Sequence, residues 1–177
     1  MSDDIVTNDL QGKVAVIGLN RPDKRNAINA QVLEGLCKAA TRAAQEARAA
    51  VLFGNGSNFS AGLDLAWLAE RLEQGGFYSS PLQGSLWHRA FNLISRGGIP
   101  FISALRGPVV GGGGTVWVQR VIGYAAMAGM MLAGRILSCE AARQARVMQY
   151  VMPAGEERAK AMELAEKIAG NKQLTNW

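Results

Sequence analysis

An α/β layered domain is the fold class this chain predicts, and three observations predict it. Short apolar runs recur at Lys13 to Leu19, Ala49 to Phe53 and Phe101 to Leu105, each closed by asparagine, glycine or proline within a few residues. Segments with apolar residues at helical spacing separate these runs. A strand-like run, a turn of small residues and a helical pattern follow one another twice, at Asn58 to Leu65 and at Arg106 to Gly114. That spacing suits parallel strands joined by helical crossovers.

Taken in order, Lys13 to Leu19 (KVAVIGL) reads as a strand stopped by Asn20 and Pro22, after which Asn29 can cap a helix. From Gln31 to Arg48 the residues Val32, Leu33, Leu36, Ala39, Ala40, Ala43, Ala44 and Ala47 form one helical stripe. Ala49 to Phe53 is a buried strand, because no helix crosses Gly54, Asn55 and Gly56. After NFSAGLDL a helix runs through Leu72, a loop spans Gly75 and Gly76 and continues past Pro81, and Leu86 to Arg96 is a further helix. Gly97, Gly98 and Pro100 end it before the strand Phe101 to Leu105. Gly123 to Leu132, Cys139 to Arg146 and Glu156 to Ala169 read as helices, the last amphipathic.

Composition narrows the function classes. With 177 residues, 49% of them hydrophobic and 19% charged, the chain suits one globular domain spanning 1–177. The net charge of +5 would suit an anionic partner, but the basic residues are scattered apart from Arg21, Lys24 and Arg25, so a nucleic acid is not expected. Cys37 and Cys139 are far apart with no metal-ligand neighbours, which predicts no metal, no disulfide and a reducing, cytoplasmic setting. The polar, acidic start MSDDIVTNDLQGK disfavours a signal peptide. Val109 to Ala133 is long enough to span a bilayer, with Arg120 its only charge. Its glycines, with Gln119 and Arg120 near the middle, favour a buried loop and helix, and a small membrane protein stays as an alternative.

Turns of small residues ending apolar strands can aim backbone N–H groups at one developing negative oxygen, as an acyl carbonyl requires during reaction. Ser60, Ala61 and Gly62 at the first turn, and Gly111, Gly112 and Gly113 at the second, are small enough for such an approach. Tight packing of strand against helix would explain the same glycines. Between Pro100 and Gly155 the only carboxylate is Glu140, so an acid or base beside such a hole is not evident.

LNRPDKRNAIN at Leu19 to Asn29, FSAGLDL at Phe59 to Leu65 and ISALRGPVVGGG at Ile102 to Gly113 occur in the order of one family. In these the chain resembles the crotonase superfamily of enoyl-CoA hydratases and isomerases. QRVIG at Gln119 to Gly123 and the stretch Met130 to Gly155 extend the likeness, the latter similar to the family's helix, its TGR turn and a later strand. The resemblance implies a crotonase-like (ClpP/crotonase) spiral of β-β-α units, incomplete here, and acyl-CoA thioesters as substrates. Coenzyme A would arrive as part of the substrate, with no separate cofactor.

Carried over by position, the resemblance implies that Ala61 and Gly112 offer the two oxyanion-hole N–H groups. Lys24, Arg25, Ala27 and Ile28 would lie along the CoA-binding edge, where the cations suit nucleotide phosphates. Asp64 and Leu65 would line the pocket mouth, with Ser60, Gly62, Leu63, Val110 and Gly111 completing the substrate-binding turns. Family members are usually homotrimeric or hexameric through C-terminal helices that fall largely beyond Trp177, which puts that assembly in question for this chain.

The sequence departs from the family where hydration chemistry is expected. Thr115 stands at the position of the family glutamate that follows the GGG, and no later P-E-x-x-x-G segment is present. The chain passes from VVGGG straight into GTVWVQRVIG, as though one strand-helix repeat had been cut out. Glu70, Glu73 and His88 are the substitute acid or base candidates, while Trp67, Phe77, Trp87 and Phe91 could line an acyl pocket but read better as core. Two readings follow: a hydratase or isomerase working through an oxyanion hole, or a degenerate protein that binds the thioester without turning it over.

Overall fold

A strand whose residues are apolar on both sides needs cover on both sides, and the sheet of this protein is built to that requirement. The structure is a computed structural model and describes residues 4–73, 81–107, 122–132 and 137–171. Four strands form one sheet in the order β1 (Val6–Gln11), β2 (Val14–Leu19), β3 (Ala49–Gly54), β4 (Phe101–Ala104). The first pair is antiparallel and the other two are parallel.

Side-chain alternation divides β2 and β3 between two cores. Ala15, Ile17 and Leu19 with Ala50 and Leu52 face α1 (Ala30–Glu46), whose Val32, Leu36, Ala39 and Ala43 cover them. Val14 and Val16 with Ala49, Val51 and Phe53 face the other way, onto Ala161, Ala165 and Ala169 of the last helix, Glu157–Gly170. These three alanines repeat every fourth residue, so one smooth stripe lies against the strands. α1 begins where its sequence signals, with Asn29 accepting a hydrogen bond from the Val32 N–H at 3.1 Å.

α2 (Leu65–Glu73) and α3 (Pro81–Arg96) connect β3 to β4. α3 begins at Pro81, earlier than the expected Leu86; the fixed φ of proline suits a helix's first turn. Leu33 and Cys37 of α1 meet Ala90 of α3 in a third small core, with Trp87 and Leu93 packed on it. The strand β1 is not anticipated by the sequence, where VTNDLQ reads as a polar lead-in. It is an edge strand with Leu10 exposed, ordered by its antiparallel ladder from Val6 opposite Leu19 to Gln11 opposite Val14. With β1 in place, β1, β2 and α1 make the β-β-α unit that the family resemblance implies.

The chain divides into two compact units, Met1–Val110 with Arg158–Trp177, and Gly111–Glu157. The second contains α4 (Tyr124–Leu132), with Met127 buried, and α5 (Cys139–Gln144), whose Ser138 accepts a hydrogen bond from the Ala141 N–H at 3.2 Å. The helix Glu157–Gly170 is α6. A strand was expected within Met130 to Gly155, but Gln149 to Met152 has no regular structure, and Tyr150 and Val151 are exposed. None of the four strands of the sheet includes this stretch.

Among the described residues no helix is long and apolar enough to cross a membrane. α4, which lies within the Val109 to Ala133 stretch, has 9 residues. At its rise it is about 14 Å long, roughly half a hydrocarbon core.

Leu19 pairs with Gly54, and Phe53 with Ala104, so the C-terminal ends of β2, β3 and β4 lie along one edge of the sheet. The loops at 20–29, 55–64 and 105–107 leave from that edge. Gly54 is where two of them crowd together: a Cβ there would collide with the Asn58 carbonyl oxygen and lie 2.5 Å from that of Phe59. Gly54→Ala is therefore expected to destabilise the protein by about 1–3 kcal/mol. The measurement is urea unfolding, with a lower midpoint and an unchanged m value.

Candidate functional site

The loop after β2 tightens into one turn of 3-10 helix at Pro22–Lys24, and its next two residues, Arg25 and Asn26, take left-handed conformations with φ of 50° and 54°. That reversal sends the Arg25 side chain outward and turns Asn26 inward, where it is 1% exposed. The Asn26 Oδ1 accepts from the Arg21 N–H at 2.8 Å, and its Nδ2 donates to the carbonyls of Asn55 at 2.9 Å and Asn58 at 2.8 Å. One side chain thus ties the loop after β2 to the loop after β3.

Residues 60–64 then run alongside 25–28 as a short parallel ladder. The Ala61 N–H donates to the Arg25 carbonyl at 2.8 Å, the Ile28 N–H to that of Gly62 at 2.8 Å, and the Asp64 N–H to that of Ile28 at 3.0 Å. Ser60, also buried, donates its hydroxyl to the Asn26 carbonyl at 2.8 Å and accepts from the Gly62 N–H at 3.0 Å. The Phe59 N–H donates to the Arg106 carbonyl at 2.8 Å, which joins the loop after β4 to the same edge.

This ladder decides which amide of the turn is available. Ala61 was expected to present its N–H to an oxyanion, but that N–H is committed to Arg25, and the Gly62 N–H is committed to Ser60. Ile28 is bridged to Leu63 in parallel, bonding to Gly62 and Asp64 on either side of it. In a parallel bridge the residue opposite points its own N–H and C=O away from the partner strand. The Leu63 N–H therefore faces away from the ladder and has no acceptor among the described residues. Gly62, at φ 84°, supplies the left-handed step that lets the chain present Leu63 in this way.

An ion pair closes the assembly. Arg21 Nη1 lies 2.9 Å from Asp64 Oδ2 and donates to the Ala27 carbonyl at 2.6 Å, with both charged side chains less than one-fifth exposed. Asp64 Oδ1 accepts from the Trp67 N–H at 3.3 Å, capping α2. Burial alone would raise the Asp64 carboxyl. The hydrogen bonds from Arg21 and Trp67 and the Arg21 charge outweigh it and hold the group below the usual carboxylate range. Arg21 is thus a structural cation, whereas Lys24 and Arg25 are exposed and have no side-chain partner among the described residues.

Of the other expected site residues, Ala27 and Ile28 are half-buried beside the ladder, and Leu65 is exposed as the first residue of α2. Val110, Gly111, Gly112 and Thr115 lie outside the described residues, as does Phe77. Glu70 and Glu73 are exposed on α2, and His88 is exposed on α3. Trp87 stacks on Phe91 at 5.6 Å between ring centres and packs against the Leu33, Cys37 and Ala90 core. Among the described residues no three His, Cys, Asp or Glu side chains are grouped so as to hold a metal ion.

Two strands of comparison bear on this edge. The family profile for enoyl-CoA hydratase/isomerase matches residues 9–116, which takes in the end of β1, all of β2 to β4 and every loop just described. This chain belongs to the enoyl-CoA hydratase/isomerase family. Among family relatives, the 2,3-dehydroadipyl-CoA hydratase of Escherichia coli K12 is 30% identical over 98% of this chain and 78% of its own length. The 4-chlorobenzoyl coenzyme A dehalogenase-2 of an Arthrobacter species is 26% identical over 88% of this chain and 69% of its own. A solved chain from Rhodopseudomonas palustris CGA009, provisionally an enoyl-CoA hydratase, superposes with a TM-score of 0.82 at 35% identity, covering 97% of this chain and 77% of that one. The expected crotonase fold is met.

The Arg21–Asp64 pair has a pH signature. A carboxyl held below its unfolded value contributes stability that is fully present above the unfolded pKa and is lost as pH falls through the folded one. Asp64→Asn is expected to lower stability by about 1–3 kcal/mol at pH 7. Urea unfolding of the two proteins should show that gap closing as pH is taken below the ordinary range for an aspartate, roughly pH 4.

Proposed function

We propose that this chain binds acyl-CoA thioesters at the edge formed by residues 21–28 and 60–65, with the Leu63 N–H directed at the thioester carbonyl oxygen. The observation that carries the reading is the Ile28–Leu63 bridge, which uses the neighbouring amides of the turn internally and leaves that one facing outward. The exposed Lys24 and Arg25 suit the nucleotide phosphates on the same loop. Relatives support the substrate class: a hydratase and a dehalogenase differ in reaction but are both named for acyl-CoA compounds. Gly112 is the second donor in this proposal, and the chemistry is of the hydratase or isomerase type, a carbonyl polarised by paired N–H groups. The reading needs no group beyond the substrate's own coenzyme A, and two unpaired cysteines favour a cytoplasmic setting.

A single domain that lacks one internal strand-helix repeat belongs to the same proposal. The Escherichia coli hydratase aligns over 206 residues, more than the 177 of this chain, so at least 29 aligned positions have no counterpart here. A repeat of that size fits one strand, one helix and their connections.

A second reading is binding without turnover, and Thr115 favours it. Adding water across a double bond needs an acid and base at the reacting carbons, worth about 10²- to 10⁴-fold, and a threonine hydroxyl does not titrate near neutral pH.

Crotonyl-CoA distinguishes the two. Under the first reading the absorbance of the conjugated thioester decays with enzyme, and Leu63→Pro, which removes the N–H, reduces the rate by about 10²- to 10³-fold. Under the second the absorbance is stable, yet acyl-CoA at about a hundred times its Kd still stabilises the fold by about 2.7 kcal/mol in a thermal melt. Neither turnover nor a shift in Tm would remove both.

A further inference from the structure

We infer that Asn26 is a positioning residue for the thioester oxygen, acting through its hold on the turn that presents Leu63; the inference rests on the reading above. Asn26 is 1% exposed, so it touches no ligand, and its effect must pass through what it holds. Its side chain makes three hydrogen bonds, to the Arg21 N–H and to the carbonyls of Asn55 and Asn58, so it fixes both ends of the gap between the two loops. Its own carbonyl takes the Ser60 hydroxyl, and that same hydroxyl takes the Gly62 N–H. A chain of three hydrogen bonds therefore runs from the Arg21 backbone to the residue immediately before the outward amide.

The loop it braces is also the loop that carries Lys24 and Arg25. The carbonyl of Arg25 accepts the Ala61 N–H while its side chain is outside. The exposed cations and the Leu63 amide are thus carried on two loops bonded to each other, with the Asn26 side chain bridging them. Hydrogen bonds weaken steeply with distance and angle, so a turn released from this brace keeps its sequence and loses its aim.

The test separates aim from stability. Asn26→Gly retains access to the left-handed backbone and removes the three side-chain bonds, and Ser60→Ala removes the next link, the bond to the Asn26 carbonyl, while leaving the Asn26 side chain in place. The probe is butyryl-CoA carrying ¹³C at the thioester carbonyl, read by difference infrared spectroscopy at saturation, with affinities for butyryl-CoA and for CoA measured by calorimetry. In the wild-type protein the bound carbonyl band moves to lower wavenumber. In both variants that displacement shrinks and the preference for butyryl-CoA over CoA falls about tenfold.

A residue that only stabilises the fold would lower Tm and leave the band and the preference unchanged. That result in a folded variant overturns the inference and leaves the proposed function standing. If Asn26→Gly does not fold, Ser60→Ala decides by the same two readings. An undisplaced band in the wild-type protein, or no binding of butyryl-CoA to it, removes the proposed function and the inference with it.

Discussion

Backbone hydrogen bonding between two loops that leave the same edge of the sheet is the constraint on which the rest of this structure depends. Loop backbone normally satisfies itself with water, but residues 25–28 and 60–64 satisfy each other, and the buried amide of Asn26 fills the gap that their short ladder cannot close. The parallel strands beneath make this possible, because Leu19, Gly54 and Ala104 finish at one level and deliver three loops side by side. Once the loops are laced, the direction of every amide in the turn is determined, and the Leu63 N–H is the one left facing away from the ladder.

Charge is divided in the same economical way around this edge. Arg21, Lys24 and Arg25 look alike in sequence, a single basic cluster. In the fold Arg21 is drawn inward to Asp64 and the Ala27 carbonyl, where it braces the loop against the start of α2. Lys24 and Arg25 remain in water, where a phosphate can reach them. One cation braces the loop and two stay exposed, a distinction made by the left-handed pair Arg25 and Asn26.

Much of this fold is legible in the sequence, for identifiable reasons. The strand at Val14–Leu19, the helix capped by Asn29 and the strand at Ala49–Gly54 carry strong periodic signals, since both faces of the sheet and one face of the helix are buried. β1 was illegible because an exposed edge strand needs no apolar alternation; its order comes from pairing with β2. At the site, the small residues Ser60 to Gly62 fall where two loops exchange backbone hydrogen bonds, but spacing alone cannot say which N–H is already bonded. The ladder to Arg25 and Ile28 shows the Ala61 N–H bonded within the fold and the Leu63 N–H turned away from it. Asn26 was hidden among three asparagines in one loop, although its place directly after two basic residues in a tight turn suits the left-handed backbone that asparagine tolerates.

The stripe of Ala161, Ala165 and Ala169 carries a consequence for how the protein comes to exist. These alanines close the face of the sheet made by Val14, Val16, Val51 and Phe53, yet they are encoded more than a hundred residues after the first strand. During synthesis that face leaves the ribosome bare and remains so until the last helix emerges. Cover for that half of the sheet thus comes from a segment outside residues 9–116, the stretch that matches the family.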